Sequence, residues 1–148
     1  MRVVYIDTNV FVYASEPESD FYKQASEFLT NADNLNLSLV TSVETFQEIV
    51  HLSRIVGGRG KSVKLCRDIL KLTSNPLDIN FKVLSIFLKL VEKYQKLESR
   101  DCLHLAVCIE NNVEVLVTQD EHLAKVKEIK VYKIKEALRK YGQGVISN

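Results

Sequence analysis

The sequence predicts an α/β fold, a parallel sheet with helices on both faces, and three observations carry that prediction. Short β-branched runs alternate along the chain with longer segments of helical periodicity, the pattern of strands joined by crossover helices. The first run, Val3-Val4-Tyr5-Ile6, lacks apolar–polar alternation, as a strand covered on both faces should. The chain has 148 residues, 46% of them hydrophobic and 26% charged. That is an ordinary globular composition at a length that buries a core without staples.

Taken in order, residues 3–6 form the first strand. Asp7-Thr8-Asn9 follows, with side chains that cap helices and form turns. Phe21, Ala25, Phe28 and Leu29 recur at helical spacing. Leu37-Ser38-Leu39-Val40 predicts a second strand, and Thr41-Ser42 opens a helix running to about Val56, where Gly57-Gly58-Arg59-Gly60 breaks it. Thr41-x-x-Glu44 has the form of a capping box, with Glu44 bonding back to the N–H of Thr41. Another helix is expected over 61–72, with Val63, Cys66, Ile69 and Leu70 inward. Residues 76–80 are extended and read as a third strand. Residues 81–94 are amphipathic, whereas 100–111 are apolar almost all round and should be deeply buried. Residues 115–117 and 131–134 predict strands four and five, before a short terminal helix. No repeat, low-complexity tract or linker divides the chain, so residues 1–148 are expected to form a single domain.

Composition excludes several classes. No apolar run approaches the length of a membrane span, and the first residues lack the apolar core and cleavage site of a signal peptide. Cys66, Cys102 and Cys108 have no zinc or disulfide spacing, and the latter two sit in apolar stretches where cysteine serves as a small hydrophobe. The expected compartment is reducing and cytoplasmic. The net charge of +1 hides a pattern: −6 over residues 1–53, +5 over 54–71, −3 over 72–124 and +5 over 125–140. Two basic segments are therefore available to a polyanion, Arg54, Arg59, Lys61, Lys64 and Arg67 flanking the glycine-rich break in the first.

In open parallel sheets, ligands bind beyond the C-terminal ends of the strands. Asp7 lies directly after the first strand and Thr118-Gln119-Asp120 directly after the fourth, on the same rim. Either acid alone reads equally well as a cap. Asp101 is harder to dismiss. It begins Asp101-Cys102-Leu103-His104-Leu105-Ala106-Val107-Cys108-Ile109, a helix with little polar surface. A carboxylate at the edge of such an element loses hydration and needs a cation, hydrogen bonds or a proton in compensation.

Asp7-Thr8-Asn9 after an N-terminal strand, Glu48 within Thr41-Ser42-Val43-Glu44-Thr45-Phe46-Gln47-Glu48-Ile49, Arg100-Asp101-Cys102-Leu103-His104-Leu105-Ala106 and Val117-Thr118-Gln119-Asp120 resemble, in order and over essentially the whole chain, the four signature blocks of PIN-domain ribonucleases. The resemblance implies a three-layer α/β/α sandwich around a central parallel sheet and a site holding Mg²⁺ or Mn²⁺. Carried over residue by residue, Asp7, Glu48, Asp101 and Asp120 become the catalytic, metal-binding acids, and Asn9 and Thr118 their polar supports. It further implies an RNA substrate and, for a compact VapC-type toxin, an antitoxin partner and a homodimer; related proteins mature ribosomal RNA instead. The excess of apolar residues in 81–91 suits self-association. Cys102 and Gln119 depart from the usual Ala and Asn, but neither removes an acid.

The chemistry agrees with elementary physics. Converging carboxylates repel, which raises their pKa values unless a cation sits among them. Oxygen ligands suit hard cations, and no Cys/His set supports zinc. Glu48 rather than Glu44 is expected in the site, because Glu48 projects towards the apolar arc of its helix. His51, His104 and His122 read as structural. A dehalogenase-like phosphoryl-transfer domain needs Asp at position 9, which is Asn, and a receiver needs an acidic pair near strand one. A non-catalytic RNA-binding module on the same scaffold remains as the rival from another class; retention of all four acids opposes it.

Overall fold

The computed structural model describes residues 1–146. Among these, strands β1 (Arg2–Ile6), β2 (Leu37–Val40), β3 (Val115–Val117) and β4 (Lys130–Tyr132) form one sheet in the order β2-β1-β3-β4. Every pairing is parallel, with Tyr5 beside both Val40 and Leu116. Helices α1 (Thr8–Ser15) and α2 (Tyr22–Thr30) cross from β1 to β2. Helices α3 (Val43–His51), α4 (Ser53–Val56), α5 (Arg59–Leu72), α6 (Phe81–Lys93) and α7 (Ser99–Glu110) lead from β2 to β3. A 3-10 turn at Leu123–Lys125 precedes β4, and α8 (Ile134–Ile146) follows it.

The alternation of β1 divides the core. Val4 and Ile6 point to one face, with Phe11, Phe28, Ile49, Ile69 and Ile134; Tyr5 points to the other, with Val83, Leu90, Leu105, Cys108 and Leu116. Both faces are covered, which makes the α/β/α sandwich and explains why β1 and β3 read as continuous apolar runs. Cys102 and Cys108 are fully buried among apolar neighbours, as expected. The chain steps from β1 to β2 on one side and later returns to the other side of β1 as β3. The crevice at the C-terminal ends of β1 and β3 is thus the switch point of the sheet, where ligands settle.

Several expectations are corrected. Residues 76–80 are not a strand: only Leu77 pairs, its N–H donating to the Thr41 carbonyl and its carbonyl accepting from Val43 N–H. Pro76 has no N–H to extend the ladder, and Asn80 already caps α6 by accepting from Val83 N–H. The helix expected over 41–56 is two helices broken at Leu52. The following Gly57 and Gly58 have φ of 110° and 113°, values that only glycine adopts without strain. The inward arc of α5 is Ser62, Leu65, Cys66 and Ile69; Leu70 is 51% exposed. The capping box does not form. Ser42 is the N-cap of α3, and the Thr41 hydroxyl is committed to the Ile6 carbonyl and to Thr45.

Candidate active site

Four elements bring carboxylates to one cleft of about 270 Å³ at the switch point, lined by Asp7, Asn9, Tyr13, Glu48, Asp101 and Asp120 among others. Asp7 caps α1 as the chain leaves β1, its Oδ1 accepting from Thr8 N–H at 2.7 Å. Glu48 comes from the middle of α3 and is 7% exposed. Asp101 stands in the first turn of α7, and Asp120 follows β3, where its Oδ1 accepts from Leu123 N–H at 2.7 Å. Glu44 does not line the cleft.

The polar supports lie where the sequence puts them. Thr118 Oγ1 donates to Asp7 Oδ2 at 2.6 Å, and Asn9 Nδ2 reaches both Asp7 Oδ2 at 3.2 Å and Thr118 Oγ1 at 3.1 Å. Thr118 Oγ1 in turn accepts from Asp120 N–H, and Asn9 Oδ1 from Gln119 N–H. The ends of β1 and β3 are therefore tied through Asn9 and Thr118, which fixes the rotamer of Asp7. Gln119, unusual in the motif, reaches forward to accept from Ile134 N–H at the start of α8.

Burial dominates the electrostatics. It pushes the Asp101 carboxyl up to about 7, with the charges of Asp7 and Asp120 adding and His104 opposing. Burial also holds Asp7 above the usual carboxylate range; His104, the Thr118 hydroxyl and Thr8 N–H restrain the rise and Glu48 adds to it. Glu44, half-buried beside Glu48, is raised by burial first and by that neighbour second. At Asp7 and Asp101, burial and neighbouring acids outweigh the compensation that hydrogen bonds and His104 supply, while Arg100, which also lines the cleft, is paired with Glu98. An all-oxygen donor set with uncompensated charge fits a hard divalent cation. Among the described residues, no three Asp, Glu, His or Cys side chains converge into a preformed metal cluster. The acids line the walls of the cleft.

A model of the PIN domain family matches residues 4–129, from β1 to the approach to β4. The chain belongs to the PIN domain family. Ribonuclease VapC23 of Mycobacterium tuberculosis is 28% identical over 122 residues, covering 82% of this chain and 96% of the relative. Among solved structures, VapBC2 from Rickettsia felis bound to a promoter DNA fragment superposes with a TM-score of 0.68 at 17% identity, over 88% of this chain and 98% of that one. FitAcB from Neisseria gonorrhoeae gives 0.67 at 18% identity, over 89% and 98%. At those identities the likeness is one of fold.

In this PIN domain, the histidines separate into two kinds. His51 and His122 are exposed. His104 is fully buried and lies inside the site: its Nε2 bonds Glu48 Oε1 and sits 3.6 Å from Asp7 Oδ1. Burial alone would lower its pKa, but the bond to Glu48 and the charges of Asp7, Glu48 and Asp101 outweigh burial and leave it raised. Sequence reasoning treats His104 as structural and passes over Tyr5 and Thr8, which touch it. One signal is present: Asp101 and His104 are three apart on α7, hence on one face.

Proposed function

We propose that this protein is a metal-dependent endoribonuclease, hydrolysing RNA phosphodiesters at the cleft where Asp7, Glu48, Asp101 and Asp120 meet. The observation that supports it is that four acids from four separate elements line one cleft at the switch point of a PIN domain, with Asp7 pushed up by burial and Glu48, and Asp101 by burial, Asp7 and Asp120. Structural capping accounts for Asp7 and Asp120, which each accept a backbone N–H, but not for Glu48 and Asp101.

Asp7, Glu48, Asp101 and Asp120 would hold Mg²⁺ or Mn²⁺. When bound, such a cation supplies a water of lowered pKa and neutralises charge developing on the phosphodiester. The chain's own residues prepare that step. Thr118 and Asn9 hold Asp7 in one rotamer, so that little reorganisation is left for the reaction. Leu52 and Ile55 give the cleft an apolar side beside the acids.

The ribonuclease name of the mycobacterial relative and the VapBC neighbours favour the toxin of a toxin–antitoxin pair over a ribosomal RNA maturation factor. On this reading a cytoplasmic, single-domain toxin is held by an antitoxin and self-associates. Purified protein is expected to cut single-stranded RNA with Mg²⁺ or Mn²⁺ and to stop on addition of EDTA, and Asp7→Asn or Asp101→Asn should abolish cleavage with the fold intact. Undiminished cleavage by the Asp101→Asn protein sinks the proposal.

A further inference from the structure

Beneath the acid cleft runs a buried chain of hydrogen bonds that the proposed chemistry does not use. Tyr5, at the C-terminal half of β1, has no exposure to solvent, and neither have Ser42, Thr45 and His104. The Tyr5 hydroxyl donates to Ser42 Oγ at 2.7 Å and lies 2.5 Å from His104 Nδ1. A phenol has one proton. With that proton given to Ser42, His104 Nδ1–H donates to the Tyr5 oxygen; were it given to Nδ1 instead, the neutral ring would still carry its proton on Nε2. In either arrangement Nε2 lies against Glu48 Oε1, and an ionised carboxylate only accepts, so the ring nitrogen there is the donor.

A second branch fixes the same ring. Thr41 Oγ1 donates to the Ile6 carbonyl at 3.0 Å, which obliges Thr45 to donate to Thr41 at 2.6 Å and Thr8 to donate to Thr45 at 3.2 Å. Thr8 Oγ1 is left to accept from His104 Nε2–H, at 3.3 Å. Three hydroxyls with one proton each leave a single consistent order. His104 is thus gripped at Nδ1 by β1 through Tyr5 and flanked at Nε2 by α1 through Thr8, with Glu48 as the acceptor in front.

We propose that His104, held by Tyr5, is a positioning residue that aims the Glu48 carboxylate into the cleft and holds it there for the cation. The inference rests on the metal-dependent reading above. Glu48 is carried in mid-helix, without a backbone N–H of its own turn to orient it, whereas Asp7 and Asp120 each accept one. A carboxylate on three rotatable bonds needs such an outer partner, and partners of this kind typically change metal affinity by about 10–100-fold.

The test uses the full-length chain and two readouts, Mn²⁺ affinity by calorimetric titration and RNA cleavage. Tyr5→Phe removes one hydroxyl at nearly constant volume; His104→Leu removes both ring nitrogens; His104→Gln returns an N–H donor near the Nε2 position. His104→Leu is expected to weaken Mn²⁺ binding by about 10–100-fold, Tyr5→Phe less, and His104→Gln should recover most of the loss. A residue that merely fills the core would change melting temperature without this rescue. In a Glu48→Gln background, His104→Leu should add nothing further to the loss of affinity, because its target is gone. Wild-type Mn²⁺ affinity in His104→Leu, or a full additive loss in the Glu48→Gln background, overturns the inference while leaving the nuclease reading standing. A wild-type protein that binds no Mn²⁺ overturns both; one that binds Mn²⁺ but cuts no RNA overturns the nuclease alone.

Discussion

Glu44 and Glu48 lie one turn apart on α3, yet their surroundings differ in kind. Glu48 is buried, bonded to His104 and part of the cleft; Glu44 is half-buried behind it, outside the cleft. The carboxyl of Glu44 is pushed up by burial and by Glu48, so its charge costs folding energy above its raised pKa. Glu48→Gln is therefore expected to abolish cleavage and weaken Mn²⁺ binding. Glu44→Gln should leave cleavage largely intact and change stability by less than about 1 kcal/mol, in the stabilising direction at pH 8, since it removes a repulsion and no cap. Kinetics and thermal melts of the two proteins decide; loss of activity in Glu44→Gln with Glu48→Gln unaffected would reverse the assignment. At this scale the sequence is legible for groups whose placement is set by position after a strand, such as Asp7, Asn9 and Thr118. It is blind to the bond between Tyr5 and His104, because β1 and α7 are nearly a hundred residues apart and nothing local says that their side chains meet.

Elements are legible where periodicity alone decides. Apolar runs mark β1, β2 and β3, and unbroken hydrophobicity marks α7. The missing strand at 76–80 shows the limit: extended backbone becomes a strand only if a partner edge offers a ladder, and here the ladder closes after Leu77. The row Phe81, Leu84, Leu88 and Val91 on α6 is legible as apolar but not as surface; these side chains are 79%, 44%, 55% and 40% exposed, while Val83 and Leu90 of the same helix are buried. A helix with two apolar faces suits self-association. Light scattering at roughly tens of micromolar is expected to give a dimer, and Leu84→Glu with Leu88→Glu a monomer; a monomeric wild type removes the claim. The glycine break between α4 and α5 belongs here too. Ile55 of α4 walls the acid cleft, and Arg54, Arg59 and Lys61 are exposed on the adjoining turns. Arg59→Ala with Lys61→Ala should weaken RNA binding and lower the slope of log affinity against log salt by about 1.4, roughly 0.7 for each phosphate that is no longer neutralised on a single strand. An unchanged slope would make the segment a plain connector.

Over the whole molecule, charge nearly cancels at +1, so the pH dependence of stability should come from a few local groups and not from net repulsion. Asp101 is held up to about 7, so between about pH 4 and 7 the folded chain keeps a proton that the unfolded chain has released. The native state then binds more protons, and stability falls as pH rises through that window. Asp7 is shifted in the same direction. His104, also raised, adds stability that is fully present below its unfolded pKa and lost as pH climbs through the folded one, the same sign again. Asp68, Glu121 and Glu128 are lowered instead, by Lys64, by Lys133 and by Lys93 with Tyr94, so their opposing contribution falls below the ordinary carboxylate pKa and outside this window. In EDTA the melting temperature is therefore expected to decline from about pH 5.5 to about pH 8. A divalent cation among the acids reverses the decline, because it compensates the charge that burial penalises. At a hundredfold excess over Kd it stabilises by about 2.7 kcal/mol, roughly 5–10 °C for a chain of this size. The Mn²⁺-induced shift should be larger at the higher pH than at the lower, where protons compete for Asp101. In Asp101→Asn the pH slope in EDTA should flatten and most of the Mn²⁺ shift disappear. A wild-type melting temperature that rises with pH in EDTA, or a Mn²⁺ shift equal at both pH values, would mean that the cleft's charge is compensated from within and that its acids have no cation to hold.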